Sequence, residues 1–132
     1  MRILCSYCSA DKRRDEVPLP AIERYRSDRL QALWRRSLAE GTPLFVLSGR
    51  FGLLAATEPI PWYDHLLPAA EVAALAAEVA SRLRALGVTA VEYHTANPAA
   101  TPAVAPYLAT IRAACTAAGA ALAVVELPGD PA

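Results

Sequence analysis

Three clusters of residues carry side chains able to do chemistry. Ser48-Gly49-Arg50-Phe51-Gly52 follows the apolar run Pro43–Leu47. Two glycines there let the backbone turn sharply or approach a ligand closely. Exposed backbone N–H groups, the Ser48 hydroxyl and the Arg50 guanidinium suit a phosphate or a carboxylate. A tight turn with a structural arginine is the competing reading. The run is not a Walker loop, because the lysine–hydroxyl pair and its spacing are absent. Trp62-Tyr63-Asp64-His65 sets two aromatic rings beside an acid and an imidazole. Asp64 could activate water or steady a developing cation, and a ring could stack on a base. Equally, Trp62 could fill the core edge and Asp64 could cap the following helix. Tyr93-His94-Thr95-Ala96-Asn97 lines up hydroxyl, imidazole and amide groups that either read a polar ligand or cap a turn. Thr101-Pro102 looks like a helix start, and such an N-terminus can hold an anion. Tyr107 lies within one to two turns of it, either facing that cleft or buried in the core.

Those clusters must be placed by the elements around them. Arg2–Tyr7 reads as a buried strand, followed by a polar loop over Cys8–Pro20 and a helix over Ala21–Glu40. Ile22, Tyr25, Leu30, Leu33, Trp34 and Leu38 share one face of that helix, and Gly41 stops it. Pro43–Leu47 is the second strand, Ser48–Asp64 a loop, and Pro68–Leu86 an alanine-rich helix ended by Gly87. Val88–Tyr93 is the third strand, His94–Thr101 a loop, and a helix to Ala118 ends at Gly119. Ala120–Leu127 is the fourth strand. Strands alternating with helices predict an α/β fold, with a four-stranded, mainly parallel sheet in a three-layer arrangement and helices on both faces. Residues 1–127 form one domain and 128–132 a flexible tail. In such sheets ligands bind beyond the carboxyl ends of the strands, so the three loops should meet there.

Charge and cysteine usage narrow the function classes. The 132 residues balance to a net charge of zero, so no global field recruits nucleic acid or a membrane. The balance is uneven: residues 1–50 hold ten Lys/Arg against six Asp/Glu, whereas 51–132 hold three against seven. The basic half favours an anionic ligand or is a solvated arginine-rich helix face. Five acids interleave with the arginines between Asp11 and Asp28, which weakens a nucleic-acid reading. Cys5 and Cys8 have a C-x-x-C spacing, but Cys5 falls inside a strand and no helix follows directly, as a redox motif requires. His65, His94 and Cys115 supply no zinc-ligand spacing. Cys5 reads as a core thiol and Cys8 as a neighbour of the ligand. An odd cysteine count without a signal peptide predicts reduced thiols in the cytoplasm. No apolar stretch is long enough to span a membrane.

Cys8-Ser9-x-x-Lys12, Pro20 before a helix with Tyr25 and Ser27, Leu47-Ser48-Gly49-Arg50-Phe51-Gly52-Leu53-Leu54 and Pro61-x-Tyr63-Asp64 follow one another along the chain. Together they resemble an uncharacterised bacterial and phage domain family with a C-S-x-x-K … L-S-[AG]-[KR]-[FYH]-G-L-L … P-Y-D hallmark. That family is similar to the peroxide-stress proteins of bacteria and, more remotely, to uracil-DNA-glycosylase-like α/β domains. The resemblance covers residues 2–67. Arg50 and Phe51 stand where lysine and histidine or tyrosine are more usual, and Trp62 is inserted between Pro61 and Tyr63. What it implies is a ligand site at the loops named above and a lean toward nucleobases and nucleotides.

The resulting expectation is an enzyme acting on a nucleoside or nucleotide, most simply by hydrolysis or transfer at an N-glycosidic bond. Asp64, Ser48 and Arg50 are the expected catalytic residues. Cys8, Ser9, Lys12, Gly49, Phe51, Gly52, Tyr63, His94, Asn97 and Tyr107 are the expected substrate-binding residues. No metal or cofactor is required. Two other readings stand beside it: a non-catalytic nucleotide- or nucleic-acid-binding module of stress response, and a domain acting through a partner or as a homo-oligomer.

Overall fold

The computed structural model describes residues 1–127; the tail expected over 128–132 lies outside the described residues. Its order is β1 (Arg2–Tyr7), β2 (Leu19–Pro20), α1 (Ala21–Arg24), α2 (Asp28–Glu40), β3 (Leu44–Ser48), β4 (Gly52–Ala55), β5 (Pro59–Ile60), α3 (Val72–Leu86), β6 (Ala90–Thr95), α4 (Ala105–Ala118) and β7 (Ala121–Glu126). Single 3-10 turns at Ala69–Glu71 and Pro102–Val104 lead into α3 and α4. The fold is α/β with a central sheet ordered β4-β3-β1-β6-β7. β1, β3, β6 and β7 run parallel, and β4 returns antiparallel to β3. β2 and β5 make a separate two-residue antiparallel pair.

The sheet therefore has five strands, where the element pattern predicts four. The extra strand comes from the segment expected to be loop. Ser48 Oγ accepts from the backbone N–H groups of Arg50 (3.2 Å) and Phe51 (3.0 Å) and folds the chain back. Gly52, at φ +76°, completes the reversal in a conformation most side chains disfavour. Leu53 and Leu54 then pair with Leu47 and Val46 and are buried. Four apolar residues after a glycine, two of them alanine, are too short a run to stand out from a loop by periodicity.

The helix expected over Ala21–Glu40 is also interrupted. Tyr25 is extended, and Ser27 caps a new helix by accepting from Leu30 N (3.2 Å). Serine competes for backbone bonds and so favours caps over helix interiors. The break has a partner: Arg13 N donates to Arg24 O (2.8 Å), Arg26 N donates to Asp11 O (2.9 Å), and Lys12 bridges Tyr25. Leu38, expected inward, is exposed at the far end of α2, and Trp34 is half-buried.

The core centres on Ile3, Leu4 and Cys5 of β1 with Val46 and Leu47 of β3, all nearly without exposure. α2 meets one side of β1 through Arg29 and Ser6, and Tyr107 of α4 faces Tyr7 at 6.1 Å between ring centres. α3 and α4 pack against each other, with Leu75, Val79 and Leu83 of α3 buried as the pattern requires. Coverage stops short of β7, where five of six residues are exposed. No helix among the described residues is long and apolar enough to cross a membrane.

One buried side chain holds the Cys8–Pro20 loop. The Arg24 guanidinium, without solvent exposure, donates to four carbonyls: Arg13 (2.6 Å), Asp15 (3.0 Å), Val17 (2.7 Å) and Ile60 (3.2 Å). Hydrogen bonds to a charged group contribute about 1.5–3 kcal/mol each, with losses in one cluster less than additive. Urea denaturation of Arg24→Leu should show a loss of about 2–5 kcal/mol. Arg24→Lys should recover less than half of it, because one ammonium cannot span four acceptors.

Candidate functional site

The site begins where β1 ends. Cys8 N donates to Leu47 O (2.9 Å), keeping the chain in sheet register for one more residue. Arg29 of α2 reaches across, donating to Ser6 Oγ (2.7 Å), Tyr7 O (2.7 Å) and Cys8 O (3.2 Å), with its Cζ 3.7 Å from the Tyr7 ring centre. Ser9 Oγ donates to Asp11 O (2.6 Å) and turns the loop. That turn, with the bridge to Tyr25, carries the Lys12 side chain inward, where it is 8% exposed. Lys12 Nζ makes one long contact, to Ala10 O at 3.4 Å. It lies 4.6 Å from the Tyr63 ring centre and 5.9 Å from that of Tyr25. No carboxylate among the described residues pairs with it.

A hydroxyl cluster supports the lysine. Tyr25 Oη and Tyr63 Oη are 2.5 Å apart, and Ser48 Oγ is 2.9 Å from Tyr63 Oη. The two rings meet edge to face at 88°, and Phe51 packs on Tyr63 at 82° and 5.0 Å. Such edge-on pairs add to plain burial. Burial, with Cys8 nearby, pushes the Tyr25 and Tyr63 phenols well above their ordinary range, so both stay neutral. Tyr107 Oη accepts from Leu67 N (3.2 Å) and from Cys8 Sγ (3.7 Å), and burial raises this phenol too.

Between these groups lies a cavity of about 250 Å³. One wall is the loop after β1: Tyr7, Cys8, Ser9, Ala10 and Lys12. Asp64, His65 and Leu66 form the second, and Ala103, Val104 and Tyr107 the third. It thus opens at the carboxyl ends of the parallel strands, where α/β sheets hold ligands. Asp64 is exposed and makes no hydrogen bond or ion pair among the described residues, whereas His65 Nε2 meets Glu71 Oε1 at 2.7 Å. The walls are mostly apolar, with a buried cation and a free carboxylate set into them.

Of the residues expected in the site, Cys8, Ser9, Lys12, Asp64 and Tyr107 line the cavity together. Tyr63 lies one layer behind, under Lys12, with Ser48 bonded to it. Gly49 packs against Tyr107 and Leu67. Phe51 and Gly52 belong to the hairpin turn that backs Tyr63, and Arg50 is exposed with its guanidinium 5.6 Å from the Phe51 ring. His94 lies elsewhere, bonded through Nε2 to Glu92 Oε2 (2.6 Å), which also takes Arg36. Asn97 is exposed and closes a turn by accepting from Ala99 N (2.8 Å). Tyr7, Leu66, Ala103 and Val104 line the cavity without having been expected there; as ordinary apolar residues they carry no sequence signal. His65, noted beside Asp64, does line it.

Cys5, Cys8 and Cys115 are free, buried thiols, and burial raises Cys5 far above the ordinary thiol value and Cys115 to about 11. Among the described residues, no three His, Cys, Asp or Glu side chains are grouped to hold a metal ion. Comparison with family models, curated proteins and solved structures finds no match to this chain.

Two predictions test this geometry. A Cβ at position 49 would lie 2.9 Å from Tyr107 Oη and 3.1 Å from Leu67 Cβ. Gly49→Ala should therefore cost about 1–3 kcal/mol in urea denaturation, and less in a Tyr107→Phe background, where the nearest atom is gone. Away from the cavity, Glu92 is held at about 2, against an ordinary 4.5, chiefly by the hydrogen bond from Arg36, with His94 and Arg2 adding. A carboxylate lowered by folding adds stability that is complete above its unfolded value and is lost as pH falls through the folded one. Urea midpoints should thus fall between pH 4.5 and 2, and Glu92→Gln should flatten that fall.

Proposed function

We propose that the Lys12 cavity binds a nucleotide, and that the chain acts on its N-glycosidic bond by hydrolysis or transfer. The observation that carries this reading is Lys12: a buried ammonium with no carboxylate paired to it among the described residues, facing a mostly apolar cavity that Asp64 also lines. Keeping a charge out of water is costly unless it is compensated. The aromatic faces of Tyr63 and Tyr25 compensate in part, and an anionic ligand group would complete the compensation. Flat apolar walls at Tyr7, Tyr107 and Val104 suit a base. A volume of about 250 Å³ fits one nucleoside unit rather than a larger cofactor.

In this reading the Lys12 ammonium holds the phosphate. Asp64 accepts a proton from water as it attacks the anomeric carbon, and its charge steadies the oxocarbenium-like transition state. His65, steadied by Glu71, donates a proton to the departing base, which leaves with the electron pair of the broken bond. Ser48 and Arg50, expected beside Asp64, act at a distance: Ser48 by fixing the turn and Tyr63, Arg50 from outside the cavity. Three free thiols fit a reducing, cytoplasmic setting.

A second reading has one specific observation in its favour. Asp64 is held by no neighbour among the described residues, whereas catalytic carboxylates are usually oriented by a hydrogen-bonding partner. A binding-only nucleotide module needs no such orientation. The purified protein should be screened by thermal shift against nucleobases, nucleosides and nucleotides, and hits followed by chromatography for released base. Lys12→Met should abolish the shift from phosphorylated ligands. Asp64→Asn should keep the shift and lower base release by at least about 100-fold. Full turnover in Asp64→Asn would remove this residue from the mechanism, and a shift without any released base would leave the binding module.

A further inference from the structure

We propose that the hollow next to the Lys12 cavity is a second base-binding position, so that the ligand of this site is a single-stranded oligonucleotide. The proposal rests on the nucleotide reading of the Lys12 cavity.

The two hollows are built from the same two segments. Lys12 and Asp64 face the first; Arg14 and Trp62, each two residues away, face the second with Pro61, Asp15 and Glu16. Two residues of chain span at most about 7 Å, so the backbone that walls one hollow lies within that distance of the backbone that walls the other. Trp62 is 39% exposed. The Arg14 guanidinium lies 4.8 Å from its ring centre, a cation–π contact that steadies an indole left open to solvent. A base entering this hollow meets an aromatic face and a planar cation, the two surfaces on which unpaired bases stack.

The charges say which part of the ligand sits there. Arg13 takes Asp15 at 2.8 Å, which leaves Glu16 as a carboxylate without an ion pair among the described residues. A phosphate next to Glu16 is repelled. An exocyclic amino group offers this carboxylate two N–H donors against the single ring N–H of thymine or uracil, which favours adenine, cytosine or guanine over them. The linking phosphate then lies between the hollows, within the reach of Lys12 and Arg14. A duplex does not fit, because its bases are already stacked and paired. The chain also lacks the net positive charge with which duplex binders neutralise many phosphates.

Calorimetric titration tests this with 5′-phosphorylated mononucleotides, 5′-phosphorylated dinucleotides carrying adenine or thymine second, and a dinucleotide whose second sugar is abasic. The second base should raise affinity about 5- to 150-fold, and the abasic version should lose that gain. Trp62→Ala should remove the gain and leave mononucleotide affinity unchanged; Trp62→Phe should keep most of it. Glu16→Gln should narrow the preference for adenine over thymine. An equal gain with the abasic dinucleotide, or a gain that survives Trp62→Ala, overturns the second base position while leaving the Lys12 reading intact. Failure of mononucleotides and dinucleotides alike to bind overturns both.

Discussion

The loop that carries Lys12 has almost no regular structure of its own, and the Arg24 guanidinium is what holds it. Four carbonyls from residues 13, 15, 17 and 60 converge on one buried side chain. Carbonyls turned away from water need donors, and an unstructured loop cannot supply them from its own backbone. Only a planar fork with several N–H groups can serve acceptors arriving from four directions. Arg29 does comparable work at the end of β1, on the carbonyls of Tyr7 and Cys8. The cavity wall from Tyr7 to Lys12 is thus suspended between two buried guanidinium groups, one from α1 and one from α2.

This arrangement explains why the long amphipathic helix is broken. An uninterrupted helix over Ala21–Glu40 would use the backbone groups of Arg24 and Arg26 within itself. The break frees Arg24 O and Arg26 N to pair with Arg13 and Asp11, and that pairing sets the direction of Lys12. Periodicity could not see the break, because Ile22 and Tyr25 face inward whether or not the helix is continuous. Ser27 followed by Asp28 has the residue types of an N-cap and first turn, a local signal that the apolar stripe running across the break conceals.

Element order was legible for physical reasons. Buried parallel strands read as unbroken apolar runs, and Gly41, Gly87 and Gly119 stop α2, α3 and α4 where expected. Element order assigns three loops, Cys8–Pro20, Ser48–Asp64 and His94–Thr101, to one end of the sheet; the first and the end of the second line the cavity, whereas no residue of the third does, the remaining wall coming from Ala103, Val104 and Tyr107. The rest was less visible because it depends on contacts distant in sequence. The arginine-rich first half suggested either an anion-attracting field or a solvated face; two of those arginines are instead buried against backbone carbonyls. The Ser48–Gly52 run looked like a ligand cradle, since a loop that binds an anion and a turn that closes a hairpin use the same residue types. Here its serine faces the backbone and Tyr63.

The hairpin turn nevertheless bears on the cavity. Ser48 fixes the hydroxyl of Tyr63, Phe51 fixes its ring, and Gly49 leaves room for the Tyr107 hydroxyl. Of those two tyrosines, Tyr63 lies under the Lys12 ammonium and Tyr107 lines the same cavity. A neutral phenol is a suitable support for a buried cation, because its ring face attracts the charge without neutralising it as a carboxylate would. Burial keeps the phenols protonated, so the support does not itself become an anion at physiological pH. The electrostatic demand of Lys12 is therefore only partly met among the described residues.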